Sequence, residues 1–263
     1  MINHTFVILA YKESEFLEDC IKSVTNQTVN SNVVIATTTD NKFIRNLARK
    51  YKLDVIVGKH TNIGGDFDFA VSCGNTDLVT VAHQDDIYEK DYAEMVVKEY
   101  TNYPNSLIIF SDYYEIRGTK HVQDNRNLKI KRILLKSLRN KNKSNKIKNK
   151  RRAIKLGNSI CCPAVTFVRK NCPKDIFKSD YLCNVDWFAW EKLSKLKGNF
   201  IFINKSLMGH RISEASTTTD IINKGIRTKE DLEILCKFWP KWIAKIINNF
   251  YKNAEKSNST ESN

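Results

Sequence analysis

A chain of 263 residues with 41% hydrophobic and 10% aromatic content has enough apolar material for one large domain, which excludes wholesale disorder. Nine Gly and four Pro suit a folded α/β chain better than a loop-rich one. The net charge of +14 is confined to residues 120–155, where fifteen Lys and Arg meet the single acid Asp124, so the remainder is neutral and the charge calls for a local anionic partner rather than a general polyanion-binding surface.

The seven Cys are odd in number and include no CxxC pair, which suits buried apolar fillers in a reducing compartment. No run is long enough to span a bilayer, and the start lacks a basic region and cleavage site, so the expected location is cytoplasmic.

In chain order, residues 6–10 (FVILA) form a continuous apolar run, as expected for a strand buried on both faces. Phe16, Leu17, Cys20, Ile21 and Val24 then trace a helical face. A strand at 33–36, a helix marked by Phe43, Ile44, Leu47, Ala48 and Tyr51, and a strand at 53–57 follow. A turn at Gly64 and Gly65, a helix over 67–73 and a strand at 78–82 complete the regular half. This alternation predicts right-handed βαβ units and a mostly parallel sheet flanked by helices, with ligands at the carboxyl ends of the strands. The second half is less regular: a helix at 91–100, a strand at 107–110, the basic segment, and a strand near 165–168. A helix at 186–197, strands at 200–203 and 206–212, and two C-terminal helical stretches close it. The expected organisation is a donor-binding half (1–118), a basic, amphipathic or mobile insertion (119–157), an acceptor-binding half (158–219), C-terminal helices (220–254) and a disordered tail (255–263).

Asp85 and Asp86 leave a buried strand together at the ligand-binding edge. Adjacent carboxylates repel, and Mg²⁺ or Mn²⁺ shared with substrate phosphates would resolve the conflict; equally, both acids suit the positive start of a helix. Glycines at 64 and 65 would let backbone amides approach a phosphate, with Asp66 and Asp68 beside them; a plain turn followed by a helix capped by Asp66 fits as well. Asp186 opens a helix whose Trp187 and Trp190 point to a core or to an acceptor face. His210 and Arg211 follow a strand, a pairing suited to a metal and to phosphate oxygens.

Taken in order, residues 6–13, 62–71, 83–88 (HQDDIY), 184–191 (NVDWFAWE) and 210–217 (HRISEAST) resemble glycosyltransferase family 2, whose fold is GT-A. The resemblance implies transfer from a nucleotide-diphosphate sugar, weakly favouring UDP, by direct displacement with inversion. It implies Asp86 and His210 as metal ligands and Asp186 as general base. Donor contacts are expected from Ala10, Tyr11, Glu13, Thr38, Asp40, Asp66, Asp68, Gln84, Asp85 and Arg211, and acceptor contacts from Trp187 and Trp190. Two departures stand out. The second strand ends in Ala36-Thr-Thr-Thr-Asp40 where relatives often carry two acids before Gly-Ser, and Ser213 stands where many carry a second His. The acceptor is expected to be a glycan or lipid-linked, in surface polysaccharide synthesis.

Residues 128–138 place Leu128, Ile130, Ile133, Leu134 and Leu138 among cations, the pattern of a helix lying on an anionic membrane, and residues 238–251 add a second aromatic and cationic stretch; a solvated loop plus a core-docked helix is the alternative for both. Nucleic acid is not expected, since no aromatic interrupts the basic run. The rival readings are a nucleotidyltransferase, which would use the same acids to attack phosphorus, and a non-enzymatic binder of lipid or nucleic acid.

Overall fold

The computed structural model describes residues 3–212 and 225–260, with side chains to residue 250. Its first half follows the sequence reading closely: β1 (His4–Ala10), α1 (Leu17–Thr25), β2 (Asn32–Thr37), α2 (Lys42–Tyr51), β3 (Asp54–Val57), α3 (Ile63–Cys73) and β4 (Leu78–His83). These strands lie parallel in the order β3-β2-β1-β4. Both faces of β1 are covered: Val7 joins one apolar cluster, while Phe6, Ile8 and Ala10 join the other. That two-sided burial is why the strand reads as an unbroken apolar run. From β1 the chain steps outward to β2 and β3, then returns to place β4 on the other side of β1. The point where strand order reverses, at which open α/β sheets bind ligands, therefore lies beyond Ala10 and His83.

After β4 come β5 (Ile87–Tyr88), α4 (Tyr92–Asn102), β6 (Ser106–Arg117), β7 (Lys120–Val122), α5 (Arg126–Leu134) and α6 (Ile147–Ile154). They are followed by β8 (Val165–Val168), α7 (Val185–Ser194), β9 (Asn199–Arg211), α8 (Ile226–Leu235) and α9 (Lys241–Thr260). The sheet continues β4-β8-β6-β9-β5; β8 runs antiparallel to both neighbours, β9 is parallel to β6, and β7 pairs with β6 off the end of that path.

Several expectations change here. The strands expected at 200–203 and 206–212 are one strand, β9, whose pairing with β6 shifts register around Ser111 to Tyr114. Such irregularities bend a strand. The bend carries the far end of β9 onto β5, where Ile87 faces Gly209 and Tyr88 faces Met208. The glycines expected in a turn lie instead in the first turn of α3, which Asn62 caps by accepting a hydrogen bond from the Gly65 amide at 2.7 Å. A Cβ at Gly64 would stand 2.4 Å from the carbonyl oxygen of Phe177, so close packing requires glycine at that position. Backbone helix in α9 continues to Thr260, past the expected boundary at 254. Ser213, the remainder of the 210–217 motif, and the expected boundary at 219 lie outside the described residues.

The basic segment is folded into the body. Leu128, Leu135 and Leu138 are buried in the two cores, as are Ala153 and Ile154. Several of its cations turn inward. Arg132 Nε donates to Asp112 (2.7 Å), Lys141 pairs with Glu99 (2.5 Å), and Arg151 pairs with Glu191 (2.8 Å). Lys150 is fully buried and donates to the carbonyls of Leu196 and Gly198. Of the apolar residues on α5, Ile130 and Ile133 are exposed, Leu134 is half-buried and Leu128 is buried.

Candidate functional site

The switch point beyond β1 and β4 is built by strand ends. Gln84 bridges it: its Oε1 accepts from the Tyr11 amide (3.0 Å) and its Nε2 donates to the Tyr11 carbonyl (2.9 Å). Both ends of that amide are therefore used in holding the exit of β1 against the exit of β4. Ala10 is buried at the end of β1, and Glu13 is exposed on the loop that follows.

Asp86 lies one residue before β5, and His210 one residue after the Gly209 that pairs with Ile87. The antiparallel ladder thus sets the two side chains opposite one another across 124 residues of sequence. His210 Nδ1 is 3.0 Å from Asp86 Oδ1, and the Arg211 amide donates to the same oxygen at 2.8 Å. Asp86 is fully buried. A tight turn, Asp86 N–H to His83 carbonyl at 3.2 Å, folds His83 back beside the acids. The ligating atoms of His83, Asp85 and Asp86 all lie within 4.8 Å of one another, a group that can hold a metal ion. His83 is an addition to the residues chosen from sequence. It ends an apolar strand, and its Nε2 is buried without a hydrogen-bond partner, packed beside Phe67 with ring centroids 5.3 Å apart.

The electrostatics of the cluster are those of crowded acids. Burial, then the adjacent charge of Asp86, pushes Asp85 above the ordinary carboxylate range. Burial alone would depress His210, but the charge and hydrogen bond of Asp86 outweigh it and raise the imidazole. Burial keeps His83 below its ordinary value, in the neutral form that ligates metals. The oxygens of the two acids match the donor preferences of Mg²⁺ or Mn²⁺. Arg211 completes this wall, donating from Nε to the Asp85 carbonyl (3.0 Å) and lying 4.0 Å over the ring of Phe16.

A second cluster forms beyond β2 and β3. Asp66 Oδ2 accepts from Thr38 (3.2 Å) and lies 2.8 Å from His60 Nδ1, while its other oxygen is buried with no partner. His60 was not among the residues chosen from sequence, and only the helical start of α3 brings it to Asp66. Two sequence candidates are drawn elsewhere. Asp68 is two residues from Asp66 on a helix and so faces away from it; its Oδ1 accepts from the Phe177 amide at 2.9 Å, anchoring a loop. Asp40 is held by Arg45 in a two-point contact, both bonds 2.8 Å, at the start of α2.

Asp186 sits in the first turn of α7. Its Oδ2 accepts from Asn158 at 2.6 Å and its Oδ1 from the Trp187 amide at 2.7 Å. Burial raises its proton affinity; those two donors, and the charges of Lys131 and Arg227, act in the opposite direction. Lys131 reaches this region from α5: its ammonium donates to the Tyr113 hydroxyl (2.8 Å), and the Tyr113 ring meets His210 edge-on at 6.1 Å. Trp187 and Trp190 form no acceptor wall. Both are buried in the core, Trp187 donating to the Ile154 carbonyl (2.9 Å) and Trp190 stacking on Phe167 (6.0 Å). Their spacing of three residues points them down the same inward face of α7.

Comparison with known proteins bears on this arrangement. The family model described as glycosyl transferase family 2 matches residues 5–175. Among solved structures, TarS of S. aureus in complex with UDP-GlcNAc is similar at TM-score 0.61 and 12% identity, over 97% of this chain and 73% of that one. The mannosyltransferase PcManGT from Pyrobaculum calidifontis, in complex with GDP-Man and Mn²⁺, is similar at TM-score 0.61 and 11% identity, over 89% and 63%. Glucosyl-3-phosphoglycerate synthase from Mycobacterium tuberculosis, with Mn²⁺ and UDP-Glc, gives TM-score 0.55 and 13% identity over 90% and 79%. No curated protein matches the sequence. These likenesses establish the GT-A fold.

Proposed function

Because this chain belongs to glycosyl transferase family 2, we infer that it moves a sugar from a nucleotide-diphosphate donor, UDP-linked in the first instance, onto a hydroxyl of a glycan or lipid-linked acceptor. It is a glycosyltransferase of the GT-A fold. The reading extends to inversion at the anomeric carbon, to a role in surface polysaccharide synthesis, and to a peripheral position at the inner face of the membrane. Among the described residues no helix is long and apolar enough to cross a membrane.

The observation that carries the reading is Asp86, buried at the sheet's switch point and fixed between His210 and the Arg211 amide, with Asp85 and His83 beside it. A divalent ion held by Asp86 with Asp85, His83 and His210 would neutralise the diphosphate as it departs. The orphaned nitrogen of His83 and the crowding of Asp85 against Asp86 are the features that fit it. Arg211, braced on Phe16, leaves its remaining N–H groups for phosphate oxygens. Thr38 and Asp66 face the nucleoside end, where the hydroxyls of this chain replace the acids of its relatives. Asp186 takes the proton of the acceptor hydroxyl on a carboxylate oxygen as that hydroxyl's oxygen bonds to the anomeric carbon and the carbon–diphosphate bond breaks. Two hydrogen bonds hold its plane, and burial raises its basicity.

Calorimetry with UDP-sugars, with and without Mn²⁺, tests the donor side: affinity that depends on the metal in the wild type and is lost in Asp86→Ala is expected. Equal losses with metal and with chelator would overturn the assignment of Asp86. On the acceptor side, Asp186→Asn is expected to retain donor affinity and lose transfer of a labelled sugar. Loss of donor affinity in that variant would remove Asp186 from the role of base.

A further inference from the structure

Helix α9 carries two apolar stripes, and only one of them is used. Ala244 is fully buried, Ile247 packs against the core, and Asn248 is buried with its Nδ2 donating to the Thr228 carbonyl at 3.0 Å. This face holds α9 against α8. On the outer side Trp242, Ile246 and Phe250 recur every four residues and are 66%, 50% and 72% exposed. Four-residue spacing aligns them along one line of the helix. Exposed Lys241 and Lys245 flank the line.

The root of α9 is fastened to the basic segment. Trp239 Nε1 donates to the Lys155 carbonyl (2.8 Å), and the Lys155 ammonium lies 4.5 Å over the same indole. Arg151 donates to the Lys237 carbonyl (2.8 Å) and covers Phe238 at 4.5 Å. The outer stripe therefore begins beside the part of the chain that holds its whole charge excess, where Lys146, Lys148 and other cations remain exposed. Two copies meeting through this stripe would bring like-charged segments together, whereas an anionic bilayer accepts the aromatic side chains and the cations at once.

We propose that α9 is an interfacial helix that seats the protein on an anionic lipid surface through Trp242, Ile246 and Phe250, with the outward cations of residues 136–155 beside it. This rests on the peripheral reading above and specifies its contact: of the two stretches the sequence offers, 128–138 and 238–251, the apolar part falls to α9. It does not depend on the chemistry assigned to Asp86 and Asp186, so lipid binding and sugar transfer can fail separately.

The test uses the full chain with vesicles of phosphatidylcholine alone and of phosphatidylcholine with phosphatidylglycerol. Co-sedimentation with the anionic vesicles only, weakening as salt rises, is expected for the wild type. Tryptophan emission quenched by acyl-brominated lipid, with that quenching lost in Trp242→Phe, is also expected. The triple variant Trp242→Ser, Ile246→Ser, Phe250→Ser should bind at least about tenfold more weakly, with unchanged melting temperature and donor affinity. Undiminished binding of the triple variant would overturn the proposal in favour of purely electrostatic attachment. A wild type that is dimeric in lipid-free sedimentation, alongside a monomeric triple variant, would assign the stripe to a second copy and overturn it equally.

Discussion

Replacing Asn158 with Ala removes the shortest hydrogen bond to Asp186, the 2.6 Å contact from Nδ2 to Oδ2. A hydrogen bond to a charged group contributes roughly 1.5–3 kcal/mol, and one pKa unit corresponds to about 1.4 kcal/mol, so the carboxyl of Asp186 should rise by about one to two units. The sign follows from which form is favoured: Asn158 donates to the carboxylate, and its loss favours the protonated acid. The other Asn158 atom, Oδ1, is buried without a partner, so truncation breaks no bond there and the fold should hold. A pH profile of kcat/KM for sugar transfer reads the outcome directly. The acid limb should move up by about one to two units while the alkaline plateau stays within a few-fold of wild type. An acid limb that stays in place while the plateau collapses would refute the reasoning and place Asn158 in contact with substrate instead.

Asp66→Asn and Thr38→Val should each weaken donor binding by about tenfold in calorimetry, since one hydrogen-bonding group there is worth on the order of 1.4 kcal/mol; Asp40→Ala should leave it unchanged, because Asp40 is spent on Arg45. Gly64→Ala should lower the melting temperature sharply, by roughly 2 kcal/mol or more of stability, as its Cβ meets the Phe177 backbone rather than a movable side chain. Burial depresses Lys150 to about 8, below the ordinary lysine value of 10.5. Across that interval the unfolded chain binds more protons than the folded one, so this group adds stability as pH rises. The melting temperature of wild type should therefore rise relative to that of Lys150→Met between about pH 8 and 10.

What the sequence disclosed follows from what makes patterns visible. Strands buried on both faces leave unbroken apolar runs, so β1 and β4 were legible, and with them the switch point at their ends. The strands β5 and β7 span only two and three residues and leave no period to detect. Direction around a helix was harder to read. Asp66 and Asp68 look equivalent in a turn, but once Asn62 starts the helix earlier they part company, one toward Thr38 and His60 and one toward Phe177. Trp187 and Trp190 left core and acceptor face open, and burial decided for the core. Lys131 was invisible for another reason: among fifteen cations in one run, only its meeting with Tyr113 marks it as the one that reaches the site. Asn158 and His60 carry no local signal at all, since each gains meaning only from a distant carboxylate.

The pairing of β5 with β9 also has a consequence during synthesis. A ribosome that has released the chain only through β8 has already delivered Thr38, Asp66, Asp85 and Asp86, yet the strand carrying His210 is still to come. Until β9 closes on β5, Asp86 lacks both its imidazole and its amide donor, and two neighbouring acids repel without relief. Among the described residues, β9 is the last strand to join the sheet, so the surroundings of Asp86 are completed only at that step.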